Sequence, residues 1–254
     1  MGLKLNGITD EIVAENLGHA QSLLSRLLAK PVSDSSSLAE RKRNAYALGD
    51  TYLELGLMKY QQGYAGEDVK ADLKRAASHL LQEHEYPPDE GPATPWSFEK
   101  VLTLVGCFGE AADQRRAGGI SESYYRHPAH QAFVAYLDIL KKCIGSGTIP
   151  TAGLSEVERE CRSEKASKDE RTLLLPRLLA LSALGNRERA AWDQALSELV
   201  ATHAKEAKRG ELKHSRDGFI CLPGLLFAKL GRELGWKWSG QSPYLPESLL
   251  GPVI

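Results

Sequence analysis

The sequence lacks most of the marks of a chemical specialist. Its four cysteines, Cys107, Cys143, Cys161 and Cys221, lie far apart with no Cys-x-x-Cys pair. Neither a disulfide scaffold nor a thiol redox motif is written in them, and they read as reduced, mostly buried thiols of a cytoplasmic protein. No run reaches the ~18 apolar residues that a membrane helix needs. The most apolar stretch, 173–184, is interrupted by Pro176, Arg177 and Ser182. No apolar segment follows Lys4, so no signal peptide is expected, and Asn6 falls outside the myristoylation pattern. Neither charge is in excess: 32 Lys and Arg stand against 33 Asp and Glu, a net charge of −1. A nucleic-acid-coating protein carries a clear basic surplus, so neither nucleic acid nor membrane is expected as a partner.

Catalytic and cofactor motifs are missing too. There is no Gly-x-Gly-x-x-Gly, no P-loop, no Gly-x-Ser-x-Gly elbow and no His-Glu-x-x-His. His79 and His84 are five apart and do not share a helical face. His127 and His130 precede Cys143 by sixteen and thirteen residues, and three such ligands are the best zinc set the chain offers. Isolated His pairs lack the spacing of zinc motifs, so these read as loop histidines facing solvent. The expectation is a protein that is not an enzyme and needs no cofactor and no metal.

What is present is a chain of 254 residues with 42% hydrophobic and 26% charged residues, ordinary for a soluble globular protein. Leu and Ala outweigh Val, Ile and Thr, which favours helix over strand. Thr9 before Asp10 and Glu11 marks a helix start, and Pro31 a stop. Ser33 to Ser37 is a polar linker. Further helices are expected from Leu38 to Gln62, through Val69 to Leu80, from Trp96 to Ala117 and from Gln131 to Ile144. One short helix is expected within Ser155 to Arg171. A helical hairpin, Leu173 to Leu184 and Arg187 to Lys208, turns at Gly185-Asn186. Pro176 sits in the first turn of its helix or kinks it. A last helix, Leu222 to Leu234, precedes an extended tail that packs on the bundle. The fold class is all-α, an irregular bundle of eight to ten helices in antiparallel αα-hairpins. It is one domain over 1–254, with a soft boundary near 118–126 between two helical subdomains or one continuous bundle.

Charge is uneven along the chain. Between Glu67 and Glu99 eight acids oppose three bases, a local net of −5, in a helix end and a Pro-rich loop. Asp68 and Asp72, at i and i+4, share a helical face. Such a run is as often a solubilising surface as a binding one. The segment His203 to Arg216 is basic but has no interleaved aromatics, which makes it a poor nucleic-acid platform. Tyr46, Tyr52, Tyr60 and Tyr64 read as core or rim residues. Trp236 and Trp238 read as anchors of the tail.

Leu48 to Gly56, followed by a turn and an amphipathic helix, has the look of a tetratricopeptide hairpin. Leu181 to Leu196 is a second, fainter unit, but the two lie too far apart and nothing between them repeats, so both read as ordinary αα-hairpins and an array is not expected. Two stretches together resemble a known family. One is Tyr52-Leu53-Glu54-Leu55-Gly56-Leu57-Met58-Lys59-Tyr60-Gln61-Gln62-Gly63-Tyr64. The other runs from Gly218-Phe219-Ile220-Cys221-Leu222-Pro223 to Ser242-Pro243-Tyr244-Leu245-Pro246-Glu247-Ser248-Leu249-Leu250. They cover about a quarter of the chain and resemble the helical immunity proteins of bacterial polymorphic and type VI-delivered toxins. The immunity protein 49 family and the immunity proteins of nuclease effectors are the nearest in pattern. The resemblance implies an all-α cytoplasmic antitoxin of interbacterial competition, which binds a cognate toxin and blocks it without turnover. A nuclease effector is one candidate toxin, although a net charge of −1 departs from inhibitors that mimic nucleic acid. On this reading the acidic residues Glu67, Asp68, Asp72, Glu83, Glu85, Asp89 and Glu90 contact the toxin, since a charged loop on a rigid body steers a basic partner. The alternative is a tetratricopeptide-like scaffold or adaptor that binds a peptide or protein partner.

Overall fold

The structure, a computed structural model, describes residues 3–33, 35–88 and 95–251. These hold ten α-helices and no strand. They are α1 (Asp10–Ala29), α2 (Leu38–Gln61), α3 (Gly66–Glu83), α4 (Pro95–Phe108), α5 (Ala111–Gly118), α6 (Gln131–Ser146), α7 (Leu154–Arg162), α8 (Leu175–Gly185), α9 (Arg189–Arg209) and α10 (Leu222–Glu233). The all-α expectation holds. The helix starts follow capping chemistry. Thr9 accepts from the Ile12 N–H. Ser37, expected only as linker, forms a reciprocal capping box with Glu40 at the head of α2.

The helix expected from Trp96 to Ala117 is two helices. The apolar periodicity runs across the join, but the chain turns at Gly109, where an added Cβ would meet the Val105 carbonyl at 2.7 Å. Glu110 then restarts the helix with Asp113 as its box partner. The stretch Ser155 to Arg171 holds α7 and the beginning of a π-helical turn, Glu170–Leu174, that leads into α8. Pro176 sits in the first turn of α8. It has no N–H to give the preceding turn and its ring crowds the carbonyl four residues back. The turn before it is widened accordingly, and the Leu175 N–H reaches the Glu170 carbonyl.

Two close helix approaches depend on glycine. Gly49 and Gly56 lie on the α2 face toward α3, where added Cβ atoms would fall 2.6 Å from Leu80 Cγ and 2.8 Å from Leu73 Cδ2. The tetratricopeptide-like glycines of the sequence are therefore packing notches that let the α3 leucines reach the α2 backbone. Gly118 and Gly145 bring α5 and α6 together in the same way, each facing the other's Cα across 2.8–3.0 Å from an added Cβ.

The apolar side chains merge into one core running from Leu5 to Leu250. Trp192 fills its C-terminal part, donating to the Phe227 carbonyl at 3.1 Å and packing against Gly231, where an added Cβ would collide with its ring. Trp236 packs on Trp192, and Trp238 donates to Ser197 Oγ at 2.9 Å, so both tie down the segment after α10. The tail packs as expected, with one short 3-10 turn at Glu247–Leu249. The Cys221 N–H donates to the Tyr244 carbonyl at 2.8 Å. The Tyr244 hydroxyl reaches the Leu5 carbonyl, and the Tyr60 hydroxyl the Pro243 carbonyl. The two ends of the described chain are thereby stitched to each other.

Candidate interaction surface

Of the seven acids proposed from sequence, the five that are described do not make one patch. Asp89 and Glu90 lie outside the described residues. Glu67 and Asp68 are exposed in the first turn of α3, where carboxylates also favour the positive end of the helix dipole. Glu83 is at the other end of this 18-residue helix, ~24 Å away at 1.5 Å per residue.

Asp72 does not share the Asp68 face with solvent. It is 3% exposed, paired with Lys59 at 2.6 Å and approached by Arg75 at 3.8 Å. Arg75 also lies over the Tyr52 ring at 5.4 Å. Glu83 is 9% exposed, 3.7 Å from Lys42 and 2.6 Å from His84 Nδ1. Lys42 also donates to the Pro87 carbonyl at 3.0 Å, which fixes the start of the Pro-rich loop on α2. Both carboxylates turn inward because a buried charge needs a partner, and α2 supplies one to each. Glu99, the last acid of the run, is buried against Arg177 at 2.8 Å and accepts from the Tyr136 hydroxyl at 3.1 Å. Burial pushes its carboxyl upward, and Arg177 and Tyr136 pull it back. Glu85 remains at the surface, held by Arg116 through two hydrogen bonds of 2.7 Å. The described surface acids of the run are thus Glu67, Asp68 and Glu85.

The tyrosines divide. Tyr52 and Tyr60 are core residues, while Tyr46 and Tyr64 are 55% and 47% exposed. Tyr64 lies two residues before the α3 start, so an exposed aromatic ring and two exposed carboxylates fall within five residues of sequence. The far end of the α1–α2 hairpin carries the exposed leucines Leu23, Leu28 and Leu38. Burial there is thin because α1 packs chiefly on α2.

Among the described residues no three His, Cys, Asp or Glu side chains are placed to hold a metal. His127 and His130, expected to face solvent, are half-buried and pack on each other at a tilt, ring centroids 4.6 Å apart, and Cys143 is buried within α6. Burial pushes the Cys107 and Cys143 thiols up to about 12, far from thiolate reactivity. No described helix is long and apolar enough to cross a membrane.

Two of the concavities among the described residues lie in the α4–α8 region. One, of about 170 Å³, lies between the start of α4, the start of α6 and the π-turn, and is lined by Trp96, His130, Phe133, Asp169 and Glu170. The other, about 560 Å³ and shallower, carries Arg115, Lys141 and Lys142 beside the Gly118–Gly145 crossing. Sequence reasoning missed the first pocket, whose walls come from three segments distant in sequence. A local trace exists in the Ser-x-x-Glu pattern at Ser167 and Glu170, where the Ser167 N–H donates to the Glu170 carboxylate at 2.6 Å.

No curated protein and no solved structure matches the chain. The model of the family described as immunity protein 49 matches residues 115–249, from α5 through the tail. That match covers more than half of the sequence and includes the Gly218–Leu249 ending whose pattern resembles this family. With an all-helical body around it, it places the chain in the immunity protein 49 family.

Proposed function

We propose that this protein neutralises a cognate bacterial toxin by direct contact, acting by occupancy and not by turnover. The family match over residues 115–249 is the observation that carries this reading. The setting would be the cytoplasm of a cell exposed to toxins of competitors, such as those delivered by type VI secretion. The exposed stretch with Tyr64, Glu67 and Asp68 supplies the chemistry of a docking site: an aromatic anchor beside charges that steer a basic partner. Glu85 extends this acidic character at the other end of α3, and Asp89 and Glu90 continue the same run of sequence. Asp72, Glu83 and Glu99 serve the fold instead.

The test is to express the neighbouring gene in the cytoplasm with and without this chain. Toxicity relieved by this chain, with a complex that survives co-purification, is the expected result. Toxicity that persists at full expression of the chain refutes the immunity reading and favours the scaffold.

A further inference from the structure

The 170 Å³ pocket is deeper-set than the 560 Å³ concavity and has a mixed lining. Trp96 packs on Phe133 with ring centroids 3.9 Å apart and meets His130 edge-on at 6.4 Å. Trp96 is 36% exposed although its neighbour Phe133 is core. The lining also includes Asp169, exposed, and Glu170, half-buried, at the head of the π-turn that Pro176 imposes. Glu170 is partly satisfied by the Ser167 N–H. No ion pair of Asp169 occurs among the described residues.

The pocket is below the ~300 Å³ at which small-molecule sites begin. It holds the end of one side chain. Aromatic faces attract a cation through their quadrupole, and a carboxylate at the rim adds charge complementarity. An apolar guest would leave Asp169 and Glu170 facing it without recompense, and an anion would be repelled. We infer that this pocket receives a cationic side chain, arginine or lysine, from the partner protein. The inference rests on the immunity reading for the identity of the partner, but the pocket's preference for a cation does not.

Two measurements separate those parts. In the first, the intact protein is titrated with N-acetyl-arginine amide and N-acetyl-lysine amide, and in parallel with the neutral citrulline analogue. The indole N–H signal of Trp96, identified by its loss in Trp96→Phe, is followed by NMR, with the buried Trp192 as internal control. The Trp96 signal should move with either cation and stay still with citrulline, and Asp169→Asn should reduce the shift at least twofold. Equal shifts with citrulline, or none with either cation, overturn the cation pocket. In the second, Asp169→Lys is assayed against the toxin. Asp169 is exposed, and an unchanged urea midpoint verifies the fold. Toxin affinity should fall at least tenfold. Undiminished affinity removes the pocket from the toxin interface while leaving the immunity reading intact. Failure of the wild-type chain to neutralise any neighbour refutes that reading and leaves the titration to decide the pocket.

Discussion

The buried pair Glu99–Arg177 gives the sharpest stability test. Both side chains are nearly excluded from solvent, at 7% and 12% exposure. Arg177 also donates to the Leu173 carbonyl in the π-turn, and Tyr136 donates to the same carboxylate oxygen that Arg177 approaches. Removing one partner of a buried pair leaves an uncompensated charge, which costs ~3–5 kcal/mol. Arg177→Met should therefore lose about that much, out of a total stability on the order of 5–15 kcal/mol. With a urea slope of ~3 kcal/mol/M, the midpoint falls by about 1–1.7 M. Replacing both partners, Glu99→Leu with Arg177→Met, removes the orphaned charge and leaves chiefly the Tyr136 hydroxyl unpaired, at about 1–3 kcal/mol. The double variant should be more stable than Arg177→Met. The pH response has a definite sign. A carboxyl whose folded pKa is raised by burial makes the native state bind more protons than the unfolded chain. Stability then falls as pH rises from the ordinary carboxylate value through the folded one. Without Arg177 that rise is larger, so Arg177→Met is least harmed in acid. A loss under ~1 kcal/mol, or a double variant whose loss is the sum of the two singles, refutes the account.

Other consequences are open to direct measurement. Gly145→Ala forces a Cβ to 2.8 Å from Gly118 Cα and should cost ~1–3 kcal/mol, seen as a Tm lowered by several degrees; an unchanged melt would show that the α5–α6 crossing yields freely. His203, half-buried with its Nε2 3.3 Å from the Gly218 carbonyl, has its pKa lowered to about 4 by desolvation. The unfolded chain takes up this proton first, so stability should fall by about 1–3 kcal/mol as pH drops from ~6.5 toward 4. His203→Asn should flatten that window, and an unaltered pH profile would exclude the histidine as its source. Glu67→Lys with Asp68→Lys should slow association with the toxin most at low salt, measured by stopped flow; a rate equal to wild type removes this turn from the interface. All four free thiols should react with a disulfide reagent in denaturant, while the buried Cys143, Cys161 and Cys221 resist it in the native state.

Much of the fold was legible because helices write their own signals. The α1 start at Thr9, the α2–α3 turn and the α8–α9 hairpin follow from caps, glycines and a period of 3.6. The break at Gly109-Glu110 was not, since apolar residues continue in phase on both sides. The candidate surface was less legible. Asp72 and Glu83 look like neighbours of Asp68 and Glu85 in sequence, yet the lysines that draw them inward belong to α2. The i, i+4 rule places side chains on one helix and says nothing of the helix packed against it. The Trp96–Asp169 pocket is assembled wholly by tertiary contact, so its aromatic and acidic walls give no joint signal along the chain.

The stitching of Leu5 and Tyr60 to Pro243 and Tyr244 has a consequence in time. If the chain neutralises a toxin as proposed, a cell that depends on it is unprotected until the ribosome has made the segment that closes the fold. At 5–20 residues per second, the 239 residues between Leu5 and Tyr244 take roughly 12–48 s to make, and until then the N-terminal hairpins lack the cover of the tail. A nascent chain halted before Pro243 should bind chaperones and give no protection. Protection against a toxin that arrives without warning then requires a standing stock of finished molecules, favouring continuous synthesis over induction on attack.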